Sequence, residues 1–267
     1  MQITVYGATG TFGTRLVEQL RSRDHPVISA HRGTGVDTYT GHGVAEAAEG
    51  SDVLVDCVNR MTMNARQAVD FFSHSSRSIA LAAAERPETS VACLSIAFRP
   101  EVGESKLLGY YQGKAVQERI YRRLVPADRL LMFRSAQWFE LVDAMTTSIG
   151  PLRFVPKMRV QALAAAEAAR MMAEAIDARE HDTVEVAGPE ISDFAAIARR
   201  LAEARARSTG RAEEHSESAG ERGASAGTAK PRKVIGIPLP GPTAGDGLIP
   251  PAPRLSDVSL DNWLRTV

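Results

Sequence analysis

Short apolar runs alternate with amphipathic segments along most of the chain. The runs are rich in β-branched residues, which is typical of buried strands, and the segments between them repeat apolar residues at helical spacing. We predict strands at 3–6, 26–30, 36–41, 53–58, 91–96, 129–134, 154–160 and 183–186. We predict helices after residue 13 and at 43–50, 65–85, 109–124, 162–178, 192–207 and 257–264. This alternation predicts an α/β fold with a parallel sheet.

Glycines punctuate the junction between the first predicted strand and the first predicted helix, in the sequence GATGTFG. Gly7 permits a tight turn, Gly10 lets backbone N–H groups approach a pyrophosphate, and Gly13 lets the helix pack against the strand. A purely structural turn uses glycine too, but the place between strand and helix favours a dinucleotide site. We therefore predict a Rossmann fold, a doubly wound parallel sheet with helices on both faces. The predicted coenzyme-binding residues of this turn are Gly7, Ala8, Thr9, Gly10, Thr11, Phe12 and Gly13.

The composition changes after the regular strand and helix alternation. We assign residues 1–160 to the dinucleotide-binding core and residues 161–267 to a C-terminal part that completes the core and a small substrate region. Within that part, residues 208–232 contain almost no large apolar side chains. Such a segment cannot bury enough surface to offset the entropy of ordering, so we predict a flexible insertion there.

The second predicted strand is followed by His31 and Arg32. In a Rossmann unit the residue at this point lies beside the adenosine ribose, where an acid accepts from the 2′-hydroxyl and an arginine suits a 2′-phosphate. No acid is present here, so the sequence favours NADP(H) over NAD(H). The alternative is a solvated surface arginine.

Polar residues also follow two central strands, where parallel strands line a ligand crevice. Asn59 comes after the apolar run 53–58 and is a candidate contact for the adenine or ribose of the coenzyme, or a turn-forming asparagine. Ser95 falls at the end of the run 91–96 and is a candidate donor to a substrate oxygen. Gln137 and Trp138 follow a later strand and either touch nicotinamide or substrate or, for Trp138, pack in the core.

Tyr110 and Lys114 are four residues apart and share one helical face. A cationic lysine favours the phenolate, so we expect Lys114 to lower the pKa of Tyr110. Tyr110 would then exchange a proton with a substrate oxygen while hydride moves, and Lys114 would also hold the ribose hydroxyls. The alternative is an amphipathic helix with tyrosine and lysine at its rim.

Charge and cysteine content exclude several classes of protein. Thirty-two basic and thirty-two acidic residues cancel, so the chain has no basic field for nucleic acid or an anionic membrane. Cys57 and Cys93 lie in apolar runs and provide neither a disulfide framework nor a metal site. No apolar run approaches the length that spans a membrane, and the chain begins directly with a core strand. We expect a cytoplasmic protein, a monomer or homodimer that binds a small-molecule substrate.

Together these motifs resemble the NmrA-like branch of atypical short-chain dehydrogenases/reductases. The resemblance covers residues 1–207 and 234–264 and is carried by GATGTFG, VDTYTGHGVAEAAEGSDVLVDCVN, LSI, GYYQGKAVQE, FRSAQWFE and VAGPE. It implies a bound NADP(H) or NAD(H) and places Tyr110 and Lys114 on the Tyr-x-x-x-Lys pair of the family, with Ser95 near its catalytic serine. Ile96, Ala97 and Phe98 supply no second hydroxyl, and Ser-Ala-Gln replaces the Pro-Gly that many members carry after the sixth strand.

Two functions follow from this pattern. The first is an NAD(P)H-dependent oxidoreductase that transfers hydride to a small carbonyl or quinone-like acceptor. The alternative is an NmrA-like sensor or regulatory protein that binds NADP(H) without catalysis. A nucleotide-sugar epimerase is a weaker third possibility, since the sequence contains no recognisable sugar-nucleotide site.

Overall fold

A parallel sheet forms the centre of the protein in the computed structural model, which describes residues 1–218, 233–239 and 241–266. Its strands are β1 (Ile3–Tyr6), β2 (Val27–Ala30), β3 (Val53–Asp56), β4 (Ser90–Ile96), β5 (Leu130–Ser135), β9 (Asp182–Ala187) and β12 (Arg254–Leu255). Within the described residues these seven strands lie in the order β12-β9-β5-β4-β3-β1-β2, and every neighbouring pair is parallel. The predicted α/β fold with a doubly wound parallel sheet is confirmed.

Helices cover both faces of this sheet. The helices of the described chain are α1 (Thr11–Arg21), α2 (Val44–Ala47), α3 (Ala65–Ala84), α4 (Pro100–Glu104), α5 (Gly109–Leu124), α6 (Leu141–Ala144), α7 (Ala165–Asp177), α8 (Phe194–Ser218) and α9 (Leu260–Leu264), of which α1, α3, α5 and α7 cover the central sheet. On one face α1 packs against α7, and on the other α3 packs against α5. No helix in the described ranges is long and apolar enough to cross a membrane.

The strand order reverses at β1. This strand pairs with β2 on one side and with β3 on the other, with Tyr6 level with Ala30 and with Asp56. The chain therefore leaves β1 towards one edge and later returns to build the opposite half of the sheet from β3. In open parallel sheets, ligands bind outside the carboxyl ends of the strands at such a switch point. The glycine turn lies there.

The C-terminal part both completes the sheet and adds two small sheets beside it. Strands β9 and β12 extend the central sheet, and α7 covers it. The remaining strands are β6 (Thr147–Ile149), β7 (Leu152–Lys157), β8 (Arg159–Val160), β10 (Ser192–Asp193) and β11 (Lys233–Pro238). They form the sheets β11-β7-β6 and β10-β8, against which α8 packs.

The predicted third strand at 36–41 is wrong. The segment contains only an isolated bridge between Asp37 and His42, and Tyr39 N donates to Asp37 Oδ1 at 2.9 Å. Gly41 has a φ of 83° and Gly43 a φ of 69°, values that strands do not adopt. Local turn bonds therefore replace strand pairing, and β2 is the last strand on this side of the described sheet.

Two other boundaries differ from expectation. Residues 98–108, between a predicted strand and a predicted helix, contain the short helix α4, which begins with Pro100 at a position that suits proline. The predicted flexible insertion 208–232 overlaps α8, which continues to Ser218; alanine, arginine and glutamate in this stretch favour a helix. Residues 219–232 lie outside the described part of the chain.

Candidate functional site

The glycine turn between β1 and α1 packs directly on the end of β3. Gly7 has a φ of 77°, and a Cβ atom there would lie 2.9 Å from the backbone carbon and oxygen of Cys57. A Cβ atom at Gly13 would lie 2.2 Å from Gly7 O. Both positions therefore require glycine for internal reasons, which are the left-handed backbone at Gly7 and the close approach of α1 to the turn at Gly13.

Gly10 differs from these two glycines. Its φ is −75°, which any residue adopts, and the nearest atom to a Cβ atom there would be Gly7 O at 3.4 Å. Gly10 is exposed and is the N-cap of α1, and it provides no side-chain cap. Among the described residues, the backbone N–H groups of Thr11, Phe12 and Gly13 have no acceptor. An uncapped helix N-terminus with open space in front of it suits a diphosphate.

The side chains of the other turn residues differ in exposure. Ala8 is buried, and Thr9 and Thr11 are exposed. The Phe12 ring is 3% exposed and stacks on Trp138 with the ring centroids 5.2 Å apart. The Phe12 side chain is therefore part of the core, and only its backbone is available to a ligand.

Two residues at the end of β2, His31 and Arg32, differ in their contacts. His31 is the N-cap of a short 3-10 turn, and its Nδ1 accepts from Gly33 N at 3.1 Å. Arg32 is exposed, and no described residue pairs with its guanidinium. His31 thus shapes the turn, and Arg32 is available to an anionic ligand.

Tyr110 lies at the start of α5 and its hydroxyl is already bonded. Its Oη donates to Asn59 Oδ1 at 2.9 Å, and its ring, 9% exposed, contacts the rings of Phe72 and Tyr111 edge-on. The expected lowering of the Tyr110 pKa by Lys114 is wrong. Burial raises the pKa of Tyr110 above its ordinary value, and Lys114 is not among the groups that affect it.

The side chain of Lys114 extends from α5 towards β4 and does not contact the Tyr110 hydroxyl. Its Nζ donates to Leu94 O at 2.7 Å and lies 5.0 Å from the centroid of the Phe72 ring. Burial lowers the pKa of Lys114 and raises the pKa of Asp56, and the charges of the two groups partly oppose these effects. Asp56 Oδ2 accepts from Gln117 Nε2 at 2.7 Å and from Tyr121 Oη at 2.8 Å.

Ser95 and Tyr110 have different partners. Ser95 Oγ donates to Glu118 Oε1 at 2.6 Å, and Arg134 Nη2 donates to Glu118 Oε2 at 2.6 Å. Burial pushes the pKa of Glu118 upward, but the hydrogen bonds and charge of Arg134 outweigh it, so the pKa lies below its ordinary value. The Ser95 hydroxyl is thus engaged by a buried ion pair on the inner face of α5.

Gln137 and Trp138 lie at the end of β5. Gln137 is 5% exposed, and its side-chain oxygen and nitrogen both lack hydrogen-bond geometry to any described atom. Trp138 Nε1 donates to Ser135 Oγ at 2.8 Å. The Trp138 ring stacks on Phe12 and packs against the core, which is the second of the two predictions for this residue.

Sequence reasoning missed the buried polar groups beneath the site. Asp56 interrupts an otherwise apolar run, and a charged residue inside such a run is a signal that a partner lies close by. Glu118 follows Tyr110 and Lys114 at intervals of four residues, so the three share one helical face. The partners themselves come from other strands, which sequence spacing does not show.

Two cavities in the described chain are not part of this site. One of about 140 Å³ lies at the amino ends of the strands beside Met1, Ser90 and His181. The other, of about 490 Å³, lies beside β8 and β10 and is lined by Met158 and Ser192 among others. The candidate site is therefore defined by backbone groups and side chains at the switch point rather than by either cavity.

Comparison with known proteins supports the fold. No protein-family model matches the sequence, and no curated protein matches it. The chain is similar to a dTDP-4-dehydrorhamnose reductase from Clostridium acetobutylicum, with a TM-score of 0.61, 17% identity, and coverage of 75% of this chain and 80% of that one. The same reductase from Bacillus anthracis, solved with NADP, gives a TM-score of 0.63 at 12% identity over 76% and 81% of the two chains. The Bordetella bronchiseptica enzyme WbmH, solved with NAD+, gives 0.59 at 14% identity over 77% and 81%. At these identities the similarity is one of fold.

Proposed function

We propose that the chain is an NAD(P)H-dependent oxidoreductase of the atypical short-chain dehydrogenase/reductase type, which transfers hydride to a small carbonyl or quinone-like acceptor. The observation that carries the proposal is the uncapped N-terminus of α1 at the switch point, where Gly10 leaves open space. Support also comes from similarly folded enzymes solved with NADP and with NAD+. The resemblance to the NmrA-like branch stays a prediction.

NADP(H) is the coenzyme that the residues of the site favour. The amides at the start of α1 would hold the diphosphate, and the unpartnered guanidinium of Arg32 would pair with a 2′-phosphate. Lys114 stays the predicted contact of the ribose hydroxyls: its ammonium has three donors, and within the described residues only the bond to Leu94 O is formed.

The second part of the proposed reaction is a proton transfer from Tyr110. The reduced nicotinamide supplies hydride when it is bound. Tyr110 has a raised pKa, so its hydroxyl stays protonated at neutral pH and serves as a proton donor. Donation becomes favourable as the substrate oxygen gains negative charge. The surrounding rings of Phe72 and Tyr111 exclude water from that transfer.

One observation favours the second function, a dinucleotide-binding sensor without catalysis. The hydroxyls of both Tyr110 and Ser95 are bonded inside the chain, to Asn59 and Glu118. An enzyme must release at least the Tyr110 hydroxyl when substrate binds, whereas a sensor need not. Binding without turnover is therefore the outcome that separates the two functions.

The test combines coenzyme binding with turnover. NADPH is titrated by calorimetry, and its oxidation is followed with a panel of small carbonyls and quinones. Tyr110→Phe should lower kcat by about 10²- to 10⁴-fold, the range for a lost general acid, with NADPH affinity nearly unchanged. Tyr111→Phe is the matched control, because this adjacent tyrosine is also buried, and it should keep its turnover.

Each alternative result has a definite meaning. NADPH binding with no acceptor reduced across the panel would favour the sensor. Full turnover by Tyr110→Phe would remove Tyr110 as the proton donor. No heat with either nicotinamide coenzyme would reject both functions.

A further inference from the structure

Asn59 occupies an anchored position at the switch point. Just before it, Val58 N donates to Asp56 Oδ1 at 2.9 Å, and the backbone of Cys57 supports Gly7 of the glycine turn. The backbone at the end of β3 is thus held from two sides. Asn59 itself is exposed, so its side chain extends from a fixed backbone towards the face that a ligand would approach.

Of the two polar atoms of the Asn59 side chain, only one has a hydrogen-bond partner among the described residues. Its Oδ1 accepts the Tyr110 hydroxyl, and within the described chain its Nδ2 has no acceptor. An asparagine amide carries two N–H donors beside its acceptor oxygen. The unused donors therefore lie next to the hydroxyl that the proposed reaction employs.

The Ser95 hydroxyl, in contrast to the Asn59 amide, already donates its proton inside the protein. Its hydroxyl is 1% exposed with the rest of the side chain and donates to Glu118, which Arg134 and Arg122 also bind. Releasing it would leave a buried carboxylate with one donor fewer, which carries a substantial free-energy cost. No comparable cost is attached to the free donors of Asn59.

We propose that Asn59, rather than Ser95, is the residue that acts together with Tyr110 on the oxygen of a carbonyl substrate. This inference rests on the proposed oxidoreductase function and deepens it. The Asn59 amide donates an N–H to the carbonyl oxygen, and Tyr110 turns its O–H from Asn59 Oδ1 to that same oxygen.

The transfer balances with the coenzyme already named. The carbonyl carbon gains hydride from the reduced nicotinamide, which is thereby oxidised. The carbonyl oxygen takes the Tyr110 proton, so the Tyr110 O–H bond breaks as a substrate O–H bond forms. The amide of Asn59 stabilises the negative charge on the substrate oxygen before that proton arrives.

The test compares two substitutions at saturating NADPH with a carbonyl that the wild-type protein reduces. Asn59→Asp keeps the shape of the side chain and an acceptor for Tyr110 but lacks the N–H donor. It should lower kcat by about 10²-fold, the scale for one lost donor to a developing oxyanion. Asn59→Ala should lower kcat by about tenfold, because water can occupy the space and donate. Asn262→Ala, at another exposed asparagine without a side-chain partner in the described chain, should have no effect.

The outcomes separate this inference from the proposed function. Full activity of Asn59→Asp would mean that Asn59 only holds Tyr110 in place, and it would overturn the inference while the oxidoreductase stands. A loss of NADPH affinity with unchanged kcat would make Asn59 a ribose contact and would also overturn it. A greater loss in Ser95→Ala than in Asn59→Asp would return the role to Ser95. No turnover in the wild-type protein would overturn both the function and the inference.

Discussion

The two ends of the candidate site at the switch point are built differently. At the proposed coenzyme end, formed by the glycine turn and Arg32, backbone amides and a guanidinium have no partner among the described residues. At the proposed reaction end, formed by Tyr110, Lys114 and Ser95, each of these side chains has a hydrogen-bond partner. Groups left unpaired where a chain could have paired them indicate a ligand, whereas paired groups first serve the fold. Substitutions that remove or obstruct the unpaired groups should therefore change coenzyme binding, and those that break the buried pairs should change stability.

The largest effect should come from comparing two glycines of the same turn. Gly13→Ala places a methyl group 2.2 Å from Gly7 O, so it should lower the free energy of unfolding by about 3 kcal/mol, at the upper end of overpacking costs. Gly10→Ala meets only Gly7 O at 3.4 Å and should change it by less than about 0.5 kcal/mol. Gly10→Ala should still weaken NADPH binding by about tenfold or more, since the methyl group lies where the diphosphate approaches. Urea unfolding and calorimetry measure the two effects, and unaltered affinity in Gly10→Ala would place the diphosphate elsewhere.

Arg32 tests the same end of the candidate site without altering the backbone. Arg32→Ala should raise the Kd for NADPH by about tenfold or more, as expected for a lost charge-assisted bond of about 1.5–3 kcal/mol, and leave the Kd for NADH unchanged. Arg119→Ala removes an exposed arginine from α5 and is the matched control. Equal effects on the two coenzymes would show that Arg32 does not read a 2′-phosphate.

Glu118 tests the region beneath the reaction end. Glu118→Gln removes the charge that Arg134 and Ser95 share, and it should cost about 1–2 kcal/mol of stability near neutral pH with NADPH affinity unchanged. The pKa of Glu118 is lowered in the folded state, so its contribution is present above the ordinary glutamate pKa and is lost as the pH falls through the folded value. The stability difference between wild type and Glu118→Gln should therefore shrink in acid. A difference that grows on acidification would contradict the assignment.

Six of the seven strands of the central sheet could be predicted because each contains an apolar run, whereas β12, a strand of two exposed residues, is not among the predicted strands. The segment 36–41 misled the same reasoning, since its β-branched residues suggest a strand while Asp37 and the glycines at 41 and 43 form turns. Strand propensity is decided by a partner strand, and here the chain provides none within its described residues.

The candidate site likewise has features that the sequence could predict and features that it could not. The glycine turn could be predicted from sequence because its residues are contiguous and its conformation depends on backbone geometry, which glycine spacing reveals. The pKa direction of Tyr110 could not, because it depends on burial and on Lys114 being drawn to Leu94 O in another element. The pairs of Asp56 with Tyr121 and of Ser95 with Glu118 likewise join residues far apart in sequence. The preference for NADP(H) stays a prediction until Arg32 is tested.

The stacking of Trp138 on Phe12 gives the protein an intrinsic optical probe. The chain has only two tryptophans, and the other, Trp263, contacts Phe139 at a tilted angle. The Trp138 indole stacks on Phe12 of the glycine turn, so its fluorescence should respond to changes in that turn. A single replacement of Trp263 by phenylalanine would leave one emitter whose signal follows that turn without an added dye.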